Sequence, residues 1–213
     1  MWQLYVVVDR AAAGKRPVEE ITAAAIRGGA DVIQFRDKQG SDEAIARTVR
    51  SLLSITREAK VPLILNDRVE VACRVGVEGI HVGQEDWPVA RIRRLAGKGM
   101  LIGKSTHSLA QAIAAEEEGA NYIGFGPLFQ TPTKPDYGSI GPGLIRPASQ
   151  QVSIPMVCIG GIDTRTLSEV LQAGARCIAV VRAVCAAEDP ESAARSLKFQ
   201  MSQFHRETSG QRL

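Results

Sequence analysis

Long apolar runs, paired cysteines and clustered basic residues are all missing from this 213-residue chain. No apolar stretch approaches the ~20 residues of a bilayer-spanning helix, so no membrane is expected as partner. The first residues, Met1-Trp2-Gln3-Leu4-Tyr5, carry no basic group ahead of the apolar ones, which argues against a secretory signal. Cys73, Cys158, Cys177 and Cys185 are widely and unevenly spaced, with no Cys-x-x-Cys pair. They read as small apolar filler in a reduced, cytoplasmic protein. The formal net charge is only +3, and no run of Lys and Arg has aromatics interleaved. Nucleic acid is therefore not expected as partner.

What is present is ordinary for a soluble globular protein: 45% hydrophobic and 23% charged residues. The length suits one domain over residues 1–213, with a polar tail from about residue 207 expected to fray. Apolar runs predict eight strands: Leu4–Val8, Val32–Lys38, Val61–Leu65, Gly79–Val82, Met100–Ile102 leading into Gly103–His107, Tyr122–Phe125, Ile154–Ile159 and Cys177–Val181. Helical patterns alternate with them. Pro17 opens one that ends at Gly28-Gly29, Ser41 and Ser108 cap two more, and Asp163 or Thr164 is expected to cap another. A final helix is predicted over about 190–206, and the Gly- and Pro-rich stretch Pro135–Gly143 has the length of a functional lid. Strands that are apolar throughout, alternating with helices, predict a parallel sheet covered on both faces. Eight such units in this length predict a single-domain α/β fold, the (β/α)8 TIM barrel, ahead of a doubly wound sheet.

In such a barrel the C-terminal strand ends converge on one site. After strand two, Gln34, Arg36 and Lys38 alternate with Phe35 and Asp37, so the first three share a side. Strand three delivers Asn66 and Asp67, strand four Gln84 and Asp86, and strand five Ser105 and His107. Strand six runs through Gly126-Pro127 into Thr131, Pro132, Thr133 and Lys134. Strand seven ends in Gly160-Gly161, and strand eight in Val181-Arg182. Arg36, Lys38 and Lys134 facing one cavity call for a polyanion. Asp67 and Asp86 fit either a pair of salt bridges or a Mg2+ site completed by water and substrate phosphates. Backbone N–H groups of Gly160-Gly161 and the turn after strand eight suit a monophosphate. His81 is expected to be structural, His107 a wall of the site and His205 a surface residue. Ser105 reads as a ligand donor, since no Ser-His-acid order is evident.

Several of these stretches occur together, and in this order, in one family. They are Gln34-Phe35-Arg36-Asp37-Lys38, Asn66-Asp67-Arg68, His81-Val82-Gly83-Gln84-Glu85-Asp86, Ser105-Thr106-His107, Gly126-Pro127-Leu128-Phe129-Gln130-Thr131-Pro132-Thr133-Lys134 and Ile159-Gly160-Gly161-Ile162. Over nearly its whole length the chain resembles the thiamine-phosphate synthase family of (β/α)8 barrels. The resemblance implies a transferase that joins an aminomethylpyrimidine diphosphate to a thiazole phosphate, releasing diphosphate. It implies that Gln34 to Lys38, Asn66, Ser105 and Lys134 hold the pyrimidine diphosphate. Thr131 to Thr133, Gly160, Gly161 and the Val181-Arg182 turn would hold the thiazole phosphate, with Asp67 and Asp86 binding Mg2+. It also implies a dissociative reaction in which Arg36, Lys38, Ser105 and Lys134 serve catalysis. One departure stands out: the family usually has Ser where this chain has Arg182. Two rival readings are a thiazole tautomerase of the same family, whose histidine after strand six is Pro127 here, and a non-catalytic phosphate-ligand binding regulator. Small molecules are the expected partners, and homo-oligomerisation is left open.

Overall fold

The structure, a computed structural model, describes residues 2–131 and 138–210, the last two as backbone only. Eight strands form it: β1 (Leu4–Asp9), β2 (Val32–Arg36), β3 (Leu63–Asn66), β4 (Gly79–Val82), β5 (Leu101–Thr106), β6 (Tyr122–Phe125), β7 (Met156–Ile159) and β8 (Cys177–Val180). They run parallel in sequence order, and β8 pairs back onto β1 to close a barrel. The expected (β/α)8 architecture is found. Strands β3 and β7 start two residues later than the apolar runs suggested, at the residues after Pro62 and Pro155, which have no N–H for the ladder. Strand β2 stops at Arg36, so Lys38 lies beyond it.

Period-two alternation divides the strands between two cores. Leu4, Val6, Val8, Ile33, Phe35, Leu65 and Ile80 point out into the large layer between strands and helices. Tyr5, Val7, Val32, Ile64, Tyr122, Val157 and Ala179 fill the inside of the barrel. Trp2 packs edge-on against Tyr122 with ring centroids 5.5 Å apart and closes the N-terminal end.

The covering helices are α1 (Arg10–Ala13), α2 (Val18–Arg27), α3 (Asp42–Glu58), α4 (Val69–Val75), α5 (Val89–Ala96), α6 (Leu109–Glu117), α7 (Ile145–Gln151), α8 (Leu167–Gln172), α9 (Arg182–Cys185) and α10 (Pro190–Gly210). Helix α3 shows how the sequence sets them. Ser41 Oγ accepts from Ala44 N at 3.3 Å, acidic residues fill the first turn, and Ile45, Val49, Leu52, Leu53 and Thr56 make one buried stripe. Ser108 caps α6 in the same way.

Helix α8 departs from expectation. Asp163 does not cap it but accepts from Arg165 N at 2.8 Å and Thr166 N at 3.2 Å, closing a turn, and the helix begins only at Leu167. Helix α10 continues to Gly210, four residues past the expected end; residues 211–213, like Pro132, Thr133, Lys134 and residues 135–137 of the expected lid, lie outside the described residues. Among the described residues no helix is long and apolar enough to cross a membrane.

Candidate active site

A cavity of about 530 Å³ opens at the C-terminal ends of the strands, within the range of small-molecule sites. Its inner wall is polar. Gln34 Nε2 donates to Tyr5 Oη at 2.8 Å, and the Tyr5 and Tyr122 hydroxyls are 2.9 Å apart. Tyr122 Oη lies 3.1 Å from His81 Nδ1, and His81 Nε2 lies 2.9 Å from Ser105 Oγ. The chain therefore joins β2, β1, β6, β4 and β5 across the inside of the barrel. Gly103 makes room for it, since a Cβ there would sit 2.4 Å from Tyr122 Oη and 2.5 Å from His81 Nδ1. His81, expected to be structural, is both part of this framework and a wall of the cavity. His107 lines the cavity as expected, with Nδ1 against the Gly126 carbonyl. His205 is half-buried rather than on the surface, its Nδ1 3.2 Å from Gln3 Nε2.

The charged groups cluster at the ends of β1 to β4. Arg36 lines the cavity and forms an ion pair with Asp9, which is buried at the end of β1. Asp9 also accepts from Ala12 N at 2.9 Å, so one carboxylate caps α1 and orients the guanidinium. Lys38 reaches across to Asp67. Asp67 follows Asn66 with a left-handed φ of 61°, a conformation that Asp tolerates better than most residues. Its carboxylate adjoins that of Asp86, which accepts from Gly83 N at 2.6 Å. Arg36 and Lys38, read from the sequence as cations that call for a polyanion, are thus already paired with carboxylates. The partners come from other strands, and these two cations face three carboxylates: Asp9, Asp67 and Asp86.

Asp86 is exposed, and partial desolvation pushes its carboxyl above the usual range; the Asp67 charge adds to that, and the Gly83 N–H and Lys38 ammonium oppose it. An acid with a raised pKa in the folded state favours folding while protonated. Its contribution is complete below the ordinary carboxylate pKa and is lost as pH rises through the raised one. In metal-free protein at neutral pH, Asp86→Asn is therefore expected to melt higher than the parent, with the gap closing as the pH falls below the carboxylate range. Melting curves across that pH series check this; a variant that melts lower at neutral pH would mean that the Gly83 N–H and Lys38 contacts outweigh the desolvation of Asp86.

The opposite wall belongs to β7 and β8, with β7 four strands from β3 around the closed barrel. Gly160 and Gly161 line the cavity at φ 103° and 67°. Any Cβ on Gly161 would meet Phe129 Cβ at 2.7 Å, so the turn is open to glycine alone; its carbonyls accept from Phe129 N and Thr166 Oγ1, both at 3.1 Å, and Gly161 is exposed. Val181 and Arg182 line the same wall, where the short helix α9 begins. Arg165 lies there too, with Nη2 2.9 Å from Asp163.

Of the residues singled out in the sequence, Gln34, Arg36, Asn66 and Ser105 meet on one side of the cavity. Thr131, Gly160, Gly161, Val181 and Arg182 also line it. Lys38, Asp67 and Asp86 form the adjoining charged group. Two side chains are corrected. The Phe35 ring is fully buried in the outer layer, with the Arg10 guanidinium carbon 5.8 Å from its centroid. Asp37 accepts from Gln39 N at 3.1 Å and Gly40 N at 2.9 Å, closing the turn after β2. Strand alternation sends both away from the neighbours with which they were grouped. Asp9, Tyr5, Tyr122 and Arg165 were missed. Asp9 carried the same signal as the other polar strand ends, and alternation from Val7 places Tyr5 inside.

A closed parallel barrel with a small-molecule cavity at its strand ends, with Arg36 and an adjoining group of paired charges on one side and a glycine turn beside Arg165 and Arg182 on the other, has the layout of a barrel enzyme for anionic substrates. Comparison with known proteins narrows this. The family model described as thiamine monophosphate synthase matches residues 4–184. A thiamine-phosphate synthase of Chloroflexus aurantiacus is 48% identical over 202 residues, covering 94% of this chain and 93% of the relative. One of Roseiflexus sp. is 44% identical over 195 residues, covering 91% and 83%. The solved thiamine phosphate pyrophosphorylase of Pyrococcus furiosus superposes with a TM-score of 0.88 at 35% identity, covering 95% and 96%. The chain belongs to the thiamine monophosphate synthase family.

Proposed function

We propose that this protein is a thiamine-phosphate synthase, a transferase that joins an aminomethylpyrimidine diphosphate to a thiazole phosphate with release of diphosphate. The observation that carries the reading is the grouping of Arg36, Lys38, Asp67 and Asp86 across the barrel from the Gly160-Gly161 turn. It offers one place for a diphosphate and another for a monophosphate.

The family's reaction is metal-assisted, and Mg2+ is the ion that fits here. Among the described residues no group of three or more His, Cys, Asp or Glu is arranged for a metal, so a site built wholly of protein ligands is not offered. A pair of oxygen donors with room for water and phosphate suits Mg2+. Three carboxylates against two cations leave the group short of positive charge before any diphosphate arrives, and Asp86 is held above its usual pKa. Asp67 and Asp86 would hold the ion, which when bound neutralises charge on the departing diphosphate.

The chain's own groups do the rest. Arg36 uses one nitrogen on Asp9 and keeps the others for phosphate oxygens. Lys38, together with Lys134 as the family resemblance implies, meets charge that grows as the bond to diphosphate lengthens. Gln34, Asn66 and Ser105 hold the pyrimidine, and the cavity keeps water from the cation that remains after diphosphate leaves. The thiazole nitrogen attacks that cation, and no general base is needed. Thr131, Pro132, Thr133, Gly160, Gly161 and Val181-Arg182 would hold the thiazole phosphate.

Arg182 gives this site a side chain as well as backbone donors. Its guanidinium is exposed at the cavity wall, and charge-assisted hydrogen bonds are worth about 1.5–3 kcal/mol each. Arg182→Ser is expected to raise KM for thiazole phosphate roughly tenfold or more, with a smaller change in kcat and in KM for the pyrimidine. Kinetics resolved by substrate check this; an unchanged KM for thiazole phosphate removes the side chain from the site.

The proposal is tested by giving purified protein both substrates and Mg2+. Thiamine phosphate supports it. Isomerisation of the thiazole alone would mark a tautomerase, and tight binding without turnover a regulator.

A further inference from the structure

The hydrogen-bond chain inside the barrel has a direction. An amide nitrogen only donates, so Tyr5 Oη accepts from Gln34 and passes its own proton to Tyr122 Oη. Tyr122 in turn donates to His81 Nδ1. The ring proton of His81 then sits on Nε2 and is donated to Ser105 Oγ. With Gln34 Nε2 on Tyr5, the reverse order would bring two protons to Tyr5 Oη and strand its own in a fully buried place, which is costly; the reverse order requires the amide turned over, with the His81 proton on Nδ1. Burial keeps both phenols protonated far above neutral pH.

This direction fixes what each end shows to the cavity. Ser105 accepts from His81, so its hydroxyl proton is left to donate. Gln34 spends Nε2 on Tyr5, so Oε1 is left to accept. That oxygen has no hydrogen-bond partner among the described residues, yet the one buried side-chain polar atom without a partner among them is Thr22 Oγ1. Gln34 Oε1 is therefore reachable, and both Gln34 and Ser105 line the cavity.

We propose that Tyr5, Tyr122 and His81 are positioning residues that hold an acceptor at Gln34 and a donor at Ser105, and so select a 4-aminopyrimidine over its 4-oxo counterpart. This rests on the synthase reading for the identity of the ligand. An amino group donates and its neighbouring ring nitrogen accepts, which matches the two ends. In the 4-oxo ring an oxygen replaces the amino group and the adjacent ring nitrogen carries a proton, so acceptor would face acceptor. A site built to hydrogen-bond one pattern rejects the other strongly. Breaking the chain at Tyr122 leaves the Tyr5 proton without its acceptor. The Gln34 amide can then turn over to take it, presenting its NH2 group to the cavity.

Two readouts test this. In the unliganded parent, 15N NMR of His81 is expected to show the proton on Nε2; a proton on Nδ1 overturns the proposal with no substrate involved. Binding of the amino and oxo pyrimidine diphosphates in Mg2+, measured by calorimetry, is expected to differ by about a hundredfold or more in the parent. In Tyr122→Phe, which keeps the ring packing, that ratio is expected to fall at least tenfold while thiazole phosphate affinity stays the same. Tyr5→Phe serves as a second variant with the same expectation. Ratios unchanged in both variants overturn the proposal. A parent that binds neither pyrimidine contradicts the synthase reading and the proposed selectivity together, whereas binding without turnover contradicts the synthase reading alone.

Discussion

Arg36→Met is expected to unfold at a temperature roughly 6–20 °C below the parent and to turn over at least about a hundredfold more slowly. The first effect comes from Asp9. That carboxylate is buried, and Arg36 is its ion-pair partner. Removing one partner of a buried pair costs about 3–5 kcal/mol, and in a protein of this size each kcal/mol shifts the melting temperature by about 2–4 °C. The second effect is the loss of charge-assisted bonds to the leaving diphosphate, about 1.5–3 kcal/mol each against 1.36 kcal/mol per tenfold in rate. A double variant separates the two. Arg36→Met with Asp9→Leu should recover most of the stability and none of the turnover. Melting curves and steady-state rates on the three proteins check this; an Arg36→Met variant that stays active shows that the guanidinium serves only the fold.

Asp67→Asn should behave in the opposite way. Its partner Lys38 is more than half exposed, with 54% of the side chain accessible, so losing their pair costs little stability. Turnover should fall at least tenfold, because Asn is a weaker ligand for a hard cation, and raised Mg2+ should restore part of it. Calorimetric titration with Mg2+ supplies a readout that does not depend on turnover. Unchanged Mg2+ affinity and unchanged rate in both Asp67→Asn and Asp86→Asn would remove the metal from this pair. A melting temperature that drops without any Mg2+ dependence would make Asp67 a structural partner of Lys38.

The strands were legible because a parallel barrel buries both faces of each, so runs such as Leu4–Val8 and Ile64–Leu65 are apolar throughout. Gly160-Gly161 was legible because only glycine takes that turn. The pairing of the charges was not. Arg36 meets Asp9 from 27 positions away and Lys38 meets Asp67 from 29, and such partners emerge only once neighbouring strands are in register. The inner hydrogen-bond chain was hidden for a related reason. Tyr5, His81 and Tyr122 look like ordinary strand residues until alternation and closure place them all inside, with Gly103 leaving the space between them. Asp163 misled because an Asp before a helix reads as its cap, and a turn competes for the same side chain.

The synthase reading requires that one diphosphate leave for each bond formed. The most direct measurement follows the purified protein by 31P NMR after mixing with Mg2+, aminomethylpyrimidine diphosphate and thiazole phosphate. The account predicts that free diphosphate and thiamine phosphate appear together in equal amounts, and that thiamine phosphate is absent when either substrate or the metal is left out. Thiazole phosphate that changes while the pyrimidine diphosphate stays intact, or two substrates that bind and remain unreacted, would contradict it.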